Sequence, residues 1–320
     1  MSEKGQPVRI HADQVFSNAG GVPRLADLYV PAADGTSLPV VIWLHGGGWR
    51  FGDRRVSPDL VHFAQQSGVA VVSIDYRLSD EVKFPAPVED VKTAVRWVRS
   101  IASSFGFDGA RIGLWGSSAG AHLAACAALS SESEFLNDEH SGFSSAVQAV
   151  IDGYGPTNFA RIDEDRASFG PTGNDLGSEV VSGVLPACDP DSFESRLIGA
   201  PVGSSPRLVE LADPAHYARS GSPPFLILHG EADSVIPCNQ SRHLFEALGA
   251  AGNDATLVLF ENLMHGFFNN PNLSETDYGT VSVYRSVANS AVNTTWSCDS
   301  TENIPSMVCS FFRAHLAPEH

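Results

Sequence analysis

The sequence predicts an α/β fold, a mostly parallel sheet flanked by helices. Three observations predict it. Short apolar runs recur along the chain, each followed by turn residues. Helical periodicity fills stretches between them, as in alternating strand–helix units. The residues of chemical interest follow the ends of the runs, where α/β sheets place ligands.

The elements follow in order. Val8–Phe16 and Leu25–Val30 are the most polar runs, which predicts an antiparallel edge hairpin. Val40–Leu44, Val69–Ile74, Arg111–Trp115, Ala146–Ile151, Phe225–Leu228 and Thr256–Phe260 are short and continuously apolar. That pattern fits strands buried on both faces, as in a parallel sheet. Between them, Pro87–Phe105 repeats Val88, Val91, Val95, Val98 and Ile101 at helical spacing. Pro87 suits a first turn, Glu89 and Asp90 favour the helix N-terminus, and Gly106 ends the pattern. Two stretches break the rhythm. Residues 156–224 are rich in Gly, Pro, Ser and acidic residues and lie between two strands, where a cap over a pocket is expected. Residues 269–305 are rich in Asn, Ser and Thr, and are read either as a lid or as a surface excursion.

Composition narrows the function. A length of 320 residues allows two domains at about 150 residues each. Apolar residues make up 43%, enough for a large core. Asp and Glu number 37 against 20 Lys and Arg, a formal charge of −17, which argues against nucleic acid and anionic membrane surfaces as partners. No apolar run is long enough to span a bilayer. Met1–Phe16 lacks the apolar stretch of a secretory signal, so a cytoplasmic location is expected. Cys126, Cys188, Cys238, Cys298 and Cys309 are too sparse for a disulfide scaffold, although a Cys298–Cys309 bridge would pin the late insertion.

The chemistry begins at Gly116-Ser117-Ser118-Ala119-Gly120, between the strand Arg111–Trp115 and a small-residue helix. Strand, tight turn and helix form the context of a nucleophile elbow, with Ser118 as the nucleophile. His45-Gly46-Gly47-Gly48-Trp49 follows another buried strand. Its glycines permit a loop that aims backbone N–H groups into a cavity, so Gly47, Gly48 and Ala119 are expected to form an oxyanion hole. The pattern of a phosphate-binding loop is absent. His45 is expected to brace this loop. Asp233 and His265 each follow a predicted strand, giving the chain order Ser118, Asp233, His265. Glu231 is the rival acid. His229 is expected to make structural hydrogen bonds, and Cys126 to be a packed thiol. Asp75, with Arg77 beside it, is read as a structural ion pair. These three catalytic positions span most of the chain, which favours one domain over residues 1–320.

The text HGGGW at 45–49, DYRLS at 75–79, FPAPVEDVKTAVRWVR at 84–99, GSSAGAHLA at 116–124, HGEADSVIP at 229–237 and MHGFF at 264–268 resembles the α/β-hydrolase superfamily. Within it, the likeness is to hormone-sensitive-lipase-like and, more closely, bacterial feruloyl-esterase-like carboxylesterases. The resemblance implies an α/β-hydrolase fold with a final helix at Met307–Leu316. It implies ester hydrolysis through an acyl-enzyme, with Ser118, Asp233 and His265 as the triad and no cofactor or metal. The substrate is expected to be a small to medium ester, aromatic or hydroxycinnamoyl esters included. Trp49 and Phe267 are expected to touch it, and Phe51, Phe84 and Trp115 to line or support the pocket. Members often pair through an edge strand, which leaves a homodimer open. An amidase of arylformamidase type shares the HGG-x-W loop and the triad. A non-catalytic binding protein on the same scaffold is the alternative of another class.

Overall fold

The structure is a computed structural model that describes residues 7–32, 35–168, 184–286, 296–297 and 303–318. β1 (Val8–Ser17) and β2 (Arg24–Pro31) pair antiparallel as the expected edge hairpin. β3 (Leu38–Leu44), β4 (Ala70–Ile74), β5 (Phe107–Ser117), β6 (Ala149–Gly153), β7 (Phe225–Gly230) and β8 (Ala255–Phe260) form the parallel part, in the spatial order β4-β3-β5-β6-β7-β8. β9 (Val281–Ser286) and β10 (Trp296–Ser297) add antiparallel strands beyond β8, so the described sheet has ten strands.

Among the described residues the α-helices are α1 (Leu60–Ser67), α2 (Ala86–Phe105), α3 (Ala119–Leu129), α4 (Ile162–Ser168), α5 (Phe193–Ile198), α6 (Pro206–Leu211), α7 (Asn239–Ala250) and α8 (Ile304–His315). The strand period of two splits the core into two layers. Val40, Ile42 and Leu44 of β3 join one layer with the apolar faces of α2, α3 and α7. Val41 and Trp43 join the other, with Leu60 and Phe63 of α1 and Ile304, Val308 and Phe312 of α8. In α2 the valines at 88, 91, 95 and 98 are all buried, each worth about 1.5–3 kcal/mol of transfer free energy.

Some boundaries differ from the sequence reading. The run at Ala146 enters the sheet only at Ala149, because Arg99 takes the Ser144 and Ala146 carbonyls and Gln148 caps the edge of Ile112. The described part of 269–305 contains a sheet strand. Val281 opposes Phe260 and Val283 opposes Val258, extending the sheet past β8. Residues 156–224 hold α4, α5 and α6, and Phe159, Ile162, Leu197 and Val209 plug into the first core layer.

Cys126 and Cys309 are buried, Cys238 is half-buried and Cys188 is exposed; all four are free thiols. Cys309, one half of the suggested Cys298–Cys309 bridge, is thus a free thiol, and Cys298 lies outside the described residues. No helix among the described residues is long and apolar enough to cross a membrane.

Candidate active site

Loops at the C-terminal ends of β3, β5, β6, β7 and β8 converge on one cleft of about 420 Å³. β5 runs straight into Ser118, whose φ of 52° and ψ of −120° are strained for a residue with a Cβ. Close packing imposes the turn. A Cβ at Gly120 would lie 2.3 Å from the Leu44 carbonyl oxygen, so α3 meets β3 backbone to backbone. The Ser118 N–H donates to the Gly153 carbonyl at 2.8 Å. The Ser118 hydroxyl stands at the N-terminus of α3.

His265, on the loop after β8, brings Nε2 to 2.9 Å from Ser118 Oγ. Its Nδ1 lies 2.7 Å from Asp233 Oδ2. The carboxylate can only accept, so Nδ1 carries the proton and the Nε2 lone pair faces the serine hydroxyl. The other oxygen of Asp233 accepts from the N–H groups of Val235 and Ile236, at 3.0 and 2.9 Å. Asp233 is fully buried, and burial pushes its pKa up; the charges and hydrogen bonds of His265 and His229 outweigh this and hold it well below the usual carboxylate range.

His229 is buried beneath the acid. Its Nε2 donates to the Ile236 carbonyl at 2.8 Å and sits 3.3 Å from Asp233 Oδ2, while Ser241 donates to its Nδ1 at 2.6 Å. The expected structural role therefore includes shaping the acid loop. Glu231 turns away, 37% exposed and 3.6 Å from Arg242.

The glycine loop lines the same cleft as Ser118 and Ala119. Gly48 has φ of 59°, and a Cβ there would fall 2.5 Å from the Phe193 ring. His45 braces the loop as expected. Its ring stacks on Tyr76 at 4.3 Å, Nδ1 lies 2.7 Å from the Gly46 oxygen, and Tyr76 donates to the His45 carbonyl at 2.8 Å. Burial lowers its pKa. Asp75 is structural, but its partner is Arg54 and not Arg77. Asp75 accepts from the Arg54 N–H and Nη1, both at 2.9 Å, whereas Arg77 reaches across to Asp90. The turn between residues 75 and 77 sends the neighbours in opposite directions. Cys126 is packed against His122 inside α3.

The aromatic expectations divide. Trp49 lines the cleft but is only 2% exposed, packed on His122 and Phe159. Phe267 does not line it. It packs on Tyr154 at 4.6 Å and on Phe268 at 4.9 Å in the second core layer, so its expected substrate contact is corrected to a core role. Phe84 and Trp115 are core as well. Phe51 and Phe193 form the aromatic wall, and Phe51 is 55% exposed. Tyr154, Arg166, Phe193 and Glu194 also line the cleft and were not singled out from sequence. Tyr154 had a signal, its position just past the end of a buried strand; the other three lie on short helices without periodicity. Among the described residues, no group of three or more His, Cys, Asp or Glu is arranged to hold a metal ion.

The strand order and these strand-end loops define the α/β-hydrolase fold. The chain belongs to the BD-FAE family, whose profile matches residues 26–248. Esterase LipQ of Mycobacterium tuberculosis is 33% identical over 253 residues, which cover 78% of this chain and 55% of that one. The chain spans about half the length of the curated relatives it matches first. A solved hyperthermophilic esterase of the archaeon Pyrobaculum calidifontis is 29% identical, with a TM-score of 0.65 over 84% of this chain and 82% of that one. Thermogutta terrifontis esterase 2 phosphonylated by sarin is 28% identical, with a TM-score of 0.63 over 84% and 88%.

Proposed function

We propose that the chain is a serine carboxylesterase that cleaves small to medium esters through an acyl-enzyme. The unbroken chain from Ser118 Oγ through His265 to Asp233, at 2.9 and 2.7 Å, supports this reading most. His265 Nε2 takes the Ser118 proton as Oγ attacks the ester carbonyl carbon. The backbone N–H groups of Gly47, Gly48 and Ala119 receive the oxyanion. The tetrahedral intermediate collapses, the C–O bond to the alcohol breaks, and the alcohol leaves with the proton from His265. Water then attacks the acyl-enzyme and gives a proton to His265. The second collapse releases the acid and returns that proton to Ser118. Asp233 stays ionised throughout, holding the Nδ1–H tautomer and stabilising the imidazolium. Its depressed pKa suits that role.

Residues 156–224 act as the cap in this reading, because α4 and α5 bring Arg166, Phe193 and Glu194 to the cleft wall. The whole chain is one catalytic domain. The aromatic wall of Phe51 and Phe193 favours aromatic acyl or alcohol groups. The esterase names of the relatives agree with ester cleavage, and sarin chemistry at a relative's site agrees with a reactive serine.

Ser118→Ala should abolish hydrolysis of p-nitrophenyl acetate while the far-UV spectrum and melting temperature stay near those of the parent. Retained turnover would sink the assignment. The parent should also be run against acyl esters of several lengths, methyl ferulate and N-formyl-kynurenine. Faster cleavage of the amide than of every ester would replace the esterase reading with the amidase one.

A further inference from the structure

We infer that Tyr154 is a positioning residue for the reaction, holding the histidine loop in register with the serine turn. The inference rests on the triad reading and extends it to a residue outside the triad.

The backbone at Tyr154 is unusual. Its φ is 47°, in the left-handed region that a bulky side chain rarely enters. Strain of this kind persists where surrounding contacts over-determine it, often at functional sites. Those contacts are visible. The Tyr154 N–H donates to the Leu228 carbonyl at 2.8 Å, while the preceding carbonyl, that of Gly153, accepts the Ser118 N–H at 2.8 Å. Both groups belong to the single peptide between Gly153 and Tyr154, whose C=O and N–H point opposite ways, so this one peptide ties the nucleophile turn to the strand leading to the acid loop. The positive φ then turns the chain sharply beyond that peptide.

The side chain completes the link. Its ring meets the His265 ring at 5.0 Å with the planes 68° apart, and touches Phe267 and Phe268 at 4.6 and 5.6 Å. Its hydroxyl accepts the Phe268 N–H at 3.3 Å, and the Ser117 side chain lies near it. Ser117 in turn packs against Gly46 of the glycine loop, where an added Cβ would lie 3.2 Å from Ser117 Oγ. One residue thus contacts the histidine and its loop and, through the carbonyl of the peptide that precedes it, the serine turn, with Ser117 lying between it and the expected oxyanion loop. Phe268 has no slack on its other side, since a Cβ at Gly153 would fall 2.2 Å from its ring. Losing the Tyr154 ring would let His265 and residues 267–268 drift relative to Ser118, and a drift of about 1 Å costs on the order of 100-fold in rate.

The test measures kcat and KM for p-nitrophenyl butyrate, and the second-order rate of inactivation by an organophosphorus ester. Tyr154→Leu should lower kcat about 100-fold and slow inactivation by a similar factor, with KM within about twofold. Tyr154→Phe keeps the ring and loses only the hydroxyl contacts. It should restore most of the rate, leaving kcat about 3- to 10-fold below the parent. Leu244→Ala, a core substitution on α7, controls for lost stability and should leave kcat near that of the parent. A folded Tyr154→Leu with kcat within threefold of the parent, or a defect that falls on KM, overturns the inference. So does an equal loss of kcat in Leu244→Ala. If Tyr154→Leu does not fold, an unchanged kcat in Tyr154→Phe overturns it. Turnover that survives in Ser118→Ala sinks the triad reading itself; loss in Ser118→Ala with none in the Tyr154 variants sinks this inference alone.

Discussion

Asp152 lies fully buried at the end of β6, two residues before Tyr154, with Gly155 N–H donating to its Oδ1 at 2.9 Å. Burial pushes its pKa up to about 6, and the Gly155 hydrogen bond and the nearby His229 offset this only in part. The folded state therefore binds its proton more tightly than the unfolded chain, where an aspartate titrates near about 3.9. Stability from this group is complete below about pH 4 and is lost as pH rises through about 6. Asp152→Asn keeps the acceptor oxygen and removes the charge. It should raise unfolding stability by about 1–2 kcal/mol at pH 8 and change little at pH 4. Urea titrations at the two pH values measure this; equal shifts at both would contradict the burial argument. Sequence alone carried no hint of Asp152, since an acid after a buried strand also fits a surface turn.

At the scale of elements, the serine turn depends on how closely α3 approaches β3. Every residue of α3 but Ala128 is buried, so its sequence has no polar face and its small side chains encode proximity. Gly120→Ala would push a Cβ against the carbonyl oxygens of Leu44 and His45, at 2.3 and 2.4 Å. Relief requires backbone movement, so the variant should lose about 1–3 kcal/mol in urea unfolding and lower kcat as well. A neutral result would mean that α3 can slide without cost. The same spacing of glycines was readable beforehand, because a close approach is a demand on the residues that make it. β9 was harder to find. Val281 and Val283 alternate with polar neighbours, but the alternation is short and sits in a polar stretch. It becomes a strand because β8 offers an open edge, and that edge is absent from the local text.

Across the whole molecule, the formal charge of −17 acts at a distance. A field of this sign repels anionic substrates before contact, and salt removes it as the screening length falls from about 10 Å at 0.1 M to about 3 Å at 1 M. Raising NaCl from low salt to about 0.5 M should therefore increase kcat/KM several-fold for a p-nitrophenyl hemisuccinate and leave p-nitrophenyl butyrate nearly unchanged. Parallel responses would show that charge does not steer the encounter. The sequence by itself determined the edge hairpin, the strands of the parallel sheet, the helix after Pro85 and the three residues of the candidate triad. Each of these rests on a local demand: a run buried on both faces, a strained turn flanked by glycines, a polar residue at a strand end. Tertiary structure alone decided that Phe267 joins the core while Phe51 and Phe193 wall the cleft, that Asp75 pairs with Arg54, and that Tyr154 joins the loops. Those outcomes depend on which distant segments are packed together, and an aromatic or an acid has the same local signature in either setting.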